Sequence, residues 1–506
     1  MNIIEANKVK SLTLWVRIAL GVTLLCYLTN AFLGALNQDE GWYLYAARQM
    51  MEGFIPHKDF FFTQGKLMPA VYACFGWAWS FAGILGGRLF TALLAFLAIC
   101  IASRTTKVSL TSITERKMGQ LACIAFLGVN LWYTYFTTIP KTYALCSLGI
   151  AGALWALSQI RQSDNKLPNF FAVLAGVVLA LLVDIRFSMG VLLPIVLAWL
   201  FWNRQQIGPK TWIWFSVAAS VTIALLMLPE LLFWREAFLE AQAFHAAREP
   251  LGMMGAIGCL ARVMRFNSLL CFVLILLGWG WITRQFVTSH EHTLRDTFPL
   301  LWGGMAIALM AVHLLAPVPY DDYWVPAMLP LAMASAVLMQ RLSLGILQTH
   351  GGAVLLFVAL ALTVCASPIA QDWLVAGHDR FWVQKKAKPD LFILRDVARQ
   401  VRAEAARLGE DTLWTQDTYL AVEAGLRVPT GLEMGPFSKP QAFKPTSKLA
   451  VWSGYTYALS FPSLAPDPMR DTKIDSLRAA YGRILLTETF FGQGGTQLFV
   501  AERTMP

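Results

Sequence analysis

Residues 12–36 read LTLWVRIALGVTLLCYLTNAFLGAL, and residues 37–45 follow as NQDEGWYLY. An apolar run of this length, interrupted only by Arg17, matches the ~20 residues that cross a bilayer as a helix. It is too long for a signal-peptide core and lacks a small-residue cleavage site, so it reads as an uncleaved first span. Lys8 and Lys10 before it predict an N-terminus on the inner side. Similar stretches recur at about 67–85, 88–103, 119–136, 139–157, 169–184, 188–202, 211–233, 267–283, 297–316, 324–340 and 351–368. Over 506 residues, 57% are hydrophobic and 14% are charged, against roughly 25% charged in a soluble domain. That balance excludes a soluble enzyme with one anchor, a disordered chain and a fibrous one. The fold class is an α-helical polytopic membrane protein with about 11–13 transmembrane helices.

The basic residues assign sides. Arg104, Lys107, Arg116 and Lys117, then Arg161 and Lys166, Arg204 and Lys210, Arg284 and Arg295, and Arg341 mark inner loops. Residues 37–66, 137–141, 185–188, 234–266 and 317–323 then fall outside, as does everything after about 369. One conflict arises: two full spans between 67 and 103 would carry the basic 104–118 loop to the wrong side. Either one of them is re-entrant or interfacial, or that loop departs from the charge rule. The net charge of +10 has no Lys/Arg run suited to nucleic acid. The 8 cysteines include no C-x-x-C pair, which excludes a disulfide framework or thiolate metal site.

From about 369 the composition changes. Leu391, Leu394, Val397, Ala398, Val401 and Ala405 recur at helical spacing over 389–408, with Pro389 at the start and Gly409 past the end. Residues 412–415, 484–487 and 497–501 read as short strands, and 429–470, rich in Pro, Ser and Lys, as loop. The chain therefore divides into a membrane module, 1–368, and a C-terminal α/β soluble domain, 369–506.

Two adjacent carboxylates, Asp39 and Glu40, at a membrane boundary are costly unless solvated or used. Asp39 is placed to cap a helix over Glu40–Glu52 that ends at Gly53, with Trp42, Tyr45, Ala46 and Gln49 on one face lying in the interface. A capping acid beside a solvated Glu accounts equally well for the pair. The continuation carries Gly53, Pro56, Asp59-Phe60 and Gly65-Lys66-Leu67. With Asp39-Glu40 and Tyr43…Ala47, this block resembles the first outer loop of the GT-C membrane glycosyltransferases. Within them it is most similar to the branch of protein O-mannosyltransferases (glycosyltransferase family 39) and lipid A aminoarabinose transferases. Gly65-Lys66-Leu67 departs from that branch's usual Pro-Pro-Leu. Arg186 after a span and Tyr323-Trp324-Val325-Pro326 with Pro330 resemble two further patterns of the branch.

The resemblance implies an inverting transferase. It would move a sugar from a polyprenyl-phosphate donor, of undecaprenyl-phosphate type, to a lipid, glycan or protein acceptor on the outer membrane face. A general base, compensation for the departing phosphate and a groove for the lipid are then needed. Asp39 is the expected base, with Glu40 beside it. Lys66, Lys141, Arg186, Arg248 and Arg265 are the expected phosphate contacts, since guanidinium and ammonium groups grip phosphate. Arg248, Arg262 and Arg265 equally suit acidic neighbours or lipid headgroups. Glu40, or Asp59, with His245 is the expected ligand set for a divalent metal ion (Mg2+, Mn2+ or Zn2+). Tyr43, Tyr320 and Asp322 are expected to contact acceptor or sugar. The location implied is the inner (plasma) membrane, with the C-terminal domain periplasmic. The competing readings are a lipid-linked sugar or polymer flippase, which would carry interrupted helices at mid-membrane, and a non-catalytic assembly partner.

Overall fold

The computed structural model describes residues 3–160, 168–246, 248, 250–263, 267, 293–342, 388–435, 447–453, 483–491 and 494–500. Most of these are helical. The helices are α1 (Ile3–Leu33), α2 (Gln38–Met51), α3 (Leu67–Cys74), α4 (Gly76–Trp79), α5 (Gly83–Thr105) and α6 (Ile113–Gly128). Then follow α7 (Leu131–Phe136), α8 (Thr142–Ile160), α9 (Pro168–Ile185), α10 (Leu192–Trp202), α11 (Arg204–Ile207), α12 (Thr211–Phe233) and α13 (Arg235–Ala246). After these come α14 (Gly252–Val263), α15 (Leu294–Leu314), α16 (Val325–Leu342), α17 (Asp390–Leu408) and α18 (Thr418–Ala424). Among the described residues, 7 helices are long and apolar enough to cross a membrane. The α6–α7 pair, interrupted at Asn130, and the shorter Phe187–Trp202 stretch run alongside them. Of the remaining expected spans, 351–368 and all of 267–283 but Asn267 lie outside the described residues.

The conflict over 67–103 resolves as one full span. Helix α3 has 8 residues, about 12 Å of helix, whereas α5 has 23, about 35 Å. Between them the chain turns at Gly83 (φ +59), where a Cβ would lie 2.2 Å from a Glu423 carboxylate oxygen. With a single crossing here, the basic 104–118 loop joins the same end of the bundle as 203–210. Neighbouring spans meet through small residues. Ala95, Ala98 and Ala102 of α5 and Ala144, Ser147 and Ala151 of α8 are fully buried, which lets the backbones approach where lipid offers no hydrophobic drive.

Helix α2 starts two residues earlier than expected. Asn37, not Asp39, is the cap: its side chain accepts the Asp39 N–H at 3.0 Å, and the Glu40 carboxylate accepts the Asn37 N–H at 2.9 Å. The correction matters because it frees the Asp39 carboxylate. Nor does α2 lie open in the interface, for Trp42, Tyr45, Ala46 and Gln49 are all buried. It is sandwiched between the membrane helices and α18.

Arg88 locks this arrangement. Its Nε and Nη2 donate to the two Glu40 oxygens at 2.6 Å each, and the remaining donors reach the carbonyls of Ala31, Gly34 and Ala35 at 2.9–3.2 Å. One guanidinium thus closes the C-terminus of α1 and pins the first turn of α2. Removing one partner of such a buried pair costs about 3–5 kcal/mol. Arg88→Met is therefore expected to lower the thermal midpoint in detergent markedly, and Arg88→Lys to recover little because the fork is lost. An unshifted midpoint for Arg88→Met rejects this role.

In the C-terminal part, α17 buries Leu391, Leu394, Val397, Ala398, Val401 and Ala405, with Pro389 as cap and Gly409 left-handed at φ +66, as expected. The strands β1 (Trp414–Thr415), β2 (Leu449–Ser453), β3 (Arg483–Phe491) and β4 (Gly494–Val500) form one sheet in the order β1-β2-β4-β3. The β1–β2 pair is parallel and the others antiparallel. Strand β2 falls inside the stretch read as loop, whose Pro, Ser and Lys content masks the Leu449-Ala450-Val451-Trp452 run. This part sits directly on α2. Arg48 donates to the carbonyls of Leu426 and Gly425, and Tyr45 accepts the Val428 N–H at 2.9 Å. Gly41 lies so close that a Cβ there would be 2.2 Å from the Tyr419 nitrogen. Gly41→Ala should loosen this seat, seen as faster proteolysis within 388–435; wild-type cleavage rates would show that the contact yields without cost.

Candidate active site

At one end of the bundle the first turn of α2, the start of α8, the residue after α9 and the entry to α16 bring polar side chains together. Lys141, in the turn before α8, is the centre. Its ammonium lies 2.6 Å from Asp39 Oδ2 and 2.6 Å from Asp322 Oδ2. Asp39 is further held by the Trp42 indole N–H, one turn along α2, at 3.1 Å. Asp322, at the entry to α16, also accepts the Tyr143 hydroxyl at 2.8 Å. Burial opposes the charge on Lys141, but Asp322 and Asp39 outweigh it and hold the ammonium well above the ordinary lysine value. The lysine therefore remains a cation, and both carboxylates face it.

Aromatic rings and guanidinium groups surround this chain. Arg186, between α9 and the next turn, lies 4.4 Å from the Tyr323 ring centroid and 5.2 Å from that of Tyr143. Its Nη1 reaches Thr142 Oγ1 at 3.5 Å. Arg248 donates to the Tyr323 hydroxyl at 3.4 Å, and Tyr320 packs edge-on against Tyr323 at 5.3 Å. Tyr43 is buried and stacked on Trp42 at 3.7 Å. Burial pushes its phenol well above the usual range, with Asp39 adding to the rise and Lys141 and Arg186 opposing it.

Of the residues expected from sequence, Asp39, Tyr43, Lys141, Arg186, Arg248, Tyr320 and Asp322 come together here. Three do not. Glu40 is fully buried in the Arg88 pair and the helix cap, so it is neither at the reacting end of Asp39 nor free for a metal. Asp59 accepts the Ile55 N–H at 2.8 Å and lies beside Lys58. Lys66 is drawn to Glu230 at 2.7 Å, in a separate cluster with His57. Arg265 and the side chain of His245 lie outside the described residues. Tyr143 and Tyr323 join this cluster as well, beyond the residues expected from sequence. Their signal was adjacency, since Tyr143 sits two residues after Lys141 and Tyr323 directly follows Asp322.

Among the described residues, no group of three His, Cys, Asp or Glu side chains is placed to hold a divalent ion, and the site carboxylates already face an ammonium. Glu40 and Asp59 are engaged by Arg88 and by the Ile55 backbone. The third expected ligand, the His245 side chain, lies outside the described residues.

The fold has counterparts among solved structures. ArnT from Cupriavidus metallidurans bound to undecaprenyl phosphate superposes with a TM-score of 0.59 at 14% identity, covering 98% of this chain and 99% of that one. The chain shares the fold of that structure. The apo state of the same ArnT gives 0.57 at 15% identity over 98% and 99%. The oligosaccharyltransferase of Archaeoglobus fulgidus, in a structure with Zn and sulfate, gives 0.53 at 14% identity over 97% of this chain and 74% of that one. No protein-family model and no curated protein matches the chain in sequence. At this identity the likeness shows the fold alone, and the chemistry rests on the side chains.

Proposed function

We propose that the chain is an inverting glycosyltransferase. It moves a sugar from a polyprenyl-phosphate donor, of undecaprenyl-phosphate type, to a hydroxyl of a lipid, glycan or protein acceptor. The observation that carries this reading is the Asp39–Lys141–Asp322 chain at the mouth of the bundle, edged by Arg186 and Arg248. Support comes also from the GT-C neighbours, whose structures hold undecaprenyl phosphate in Cupriavidus ArnT and dolichol phosphate in Archaeoglobus AglB.

In this reading Asp39 takes the acceptor hydroxyl proton. The acceptor oxygen forms its bond to the anomeric carbon from the face opposite the phosphate. The bond from that carbon to the phosphate oxygen breaks, and the polyprenyl phosphate leaves with one added negative charge. Lys141, Arg186 and Arg248 supply compensating charge where it develops. Asp322 and Tyr143 hold Lys141 in place and offer hydrogen bonds to the sugar, as do Tyr43 and Tyr320.

Arg104, Lys107, Arg116, Lys117, Arg204 and Lys210 gather at the other end of the bundle. The positive-inside rule therefore supports an outer-face site and a periplasmic C-terminal domain in a bacterial inner membrane. The C-terminal residues that rest on α2 suit acceptor binding or a lid. A flippase would place charges along a mid-membrane route, yet α8 carries no Asp, Glu, Lys or Arg at all. Mass spectrometry of envelope lipids and glycans from cells with and without the protein is expected to show one product lacking a sugar in its absence. Identical profiles, with lipid-linked donor unchanged, would remove the transferase reading.

A further inference from the structure

Away from the Asp39 site, a cavity of about 490 Å³ lies between the turn that opens α5 and the helices α17 and α18. Ser80, Phe81 and Gly83 form its membrane-side wall. Opposite them, Arg395, Arg399 and Arg402 follow one another at i, i+4 and i+7 along one face of α17, and Lys388 stands just before the helix. Two carboxylates share the space. Asp396 pairs with Lys388 and Arg399, while Glu423 pairs with Arg395 at 3.1 Å and accepts the Ile84 N–H at 2.8 Å. Arg402 donates to the carbonyls of Ala424 and Glu423 at 3.0 and 2.8 Å, which leaves its formal charge in place. Four cations against two acids leave the lining with a net charge of +2.

The setting gives this charge a meaning. Gly76–Ser109 is one of the membrane-spanning stretches, and Phe81 and Trp77 near its outer end are 83% and 78% exposed. Exposed aromatic rings at the end of a span sit at headgroup depth, so the basic cavity opens where lipid phosphates lie. Its volume falls within the roughly 300–1,000 Å³ of small-molecule sites, ample for a phosphate carrying a glycerol-sized group. We infer that this cavity binds the headgroup of an anionic phospholipid, with Trp77 and Phe81 against its acyl boundary and Arg399, Arg402 and Lys388 on its phosphate. The bound lipid would fasten the C-terminal part to the membrane beside α2. This inference is independent of the transfer chemistry.

The test uses the full chain, delipidated and titrated with phosphatidylglycerol or phosphatidylcholine, with bound lipid counted by native mass spectrometry. Wild type should retain one more phosphatidylglycerol than the double variant Lys388→Glu, Arg399→Glu, whose apparent affinity drops at least tenfold. Phosphatidylcholine retention should be the same for both. Lys388 and Arg399 are half exposed or more, so the variant should keep its fold, checked by thermal melting. Phe81→Ser provides a second arm, expected to weaken phosphatidylglycerol several-fold without touching a charge. Equal phosphatidylglycerol retention by wild type and the charge variant overturns the inference, as does equal preference for the two lipids. Inorganic phosphate displacing phosphatidylglycerol at comparable concentration would assign the cavity to a small soluble anion instead, and likewise overturn it.

Discussion

Asp39→Asn is expected to reduce sugar transfer by roughly 10²–10⁴-fold, the usual contribution of a positioned base, while the protein still accumulates and melts cooperatively. The amide keeps an oxygen for the Trp42 N–H, 3.1 Å away, so the first turn of α2 retains its geometry. What it loses is the charge facing Lys141 and the capacity to take a proton. Because Asn37 and Glu40 hold the helix start, the defect should appear in kcat with purified donor and acceptor rather than in expression. Near-normal turnover of Asp39→Asn would reject Asp39 as base and shift attention to Asp322, the other carboxylate on Lys141.

Lys141→Met is expected to damage both stability and turnover. Asp39 and Asp322 would face one another across the space the ammonium filled, and breaking a buried pair typically costs about 3–5 kcal/mol. Both carboxylates are largely buried, with side chains 16% and 13% exposed, so solvent screening recovers little of that. Combining Lys141→Met with Asp322→Asn removes one of the two repelling charges and should restore much of the thermal midpoint. It should not restore turnover, since the cation beside the leaving phosphate is still missing. If the double variant recovers activity along with stability, Lys141 serves the fold alone and the phosphate role falls.

Much of the fold was legible because membranes impose strict rules. A helix in lipid must satisfy its own backbone and be about 20 residues long, so apolar runs such as 12–36 and 211–233 announce themselves. The 67–103 region was ambiguous for the converse reason. Its composition is apolar but for Arg88, and only the break at Gly76–Ala82, with the Gly83 turn closed by Glu423, shows that a single span crosses. Strand β2 was hidden because its 5 residues sit between polar, Pro-rich flanks, and a strand so short is defined by its partners.

The site shows the same division. Asp39 and Lys141 stood out because idle charges are expensive at the ends of spans, and each could be picked from its own surroundings. Their pairing could not, since 102 positions of chain separate them and no local pattern encodes contact. Glu40 and Lys66 looked equally suitable, yet Arg88 and Glu230 claimed them. The sequence by itself determined that this is a multi-span membrane protein with a polar loop after its first span and a mixed C-terminal part. Tertiary structure alone decided which charges meet, because a carboxylate's role depends on the partner that reaches it first across the bundle, and that is a property of packing.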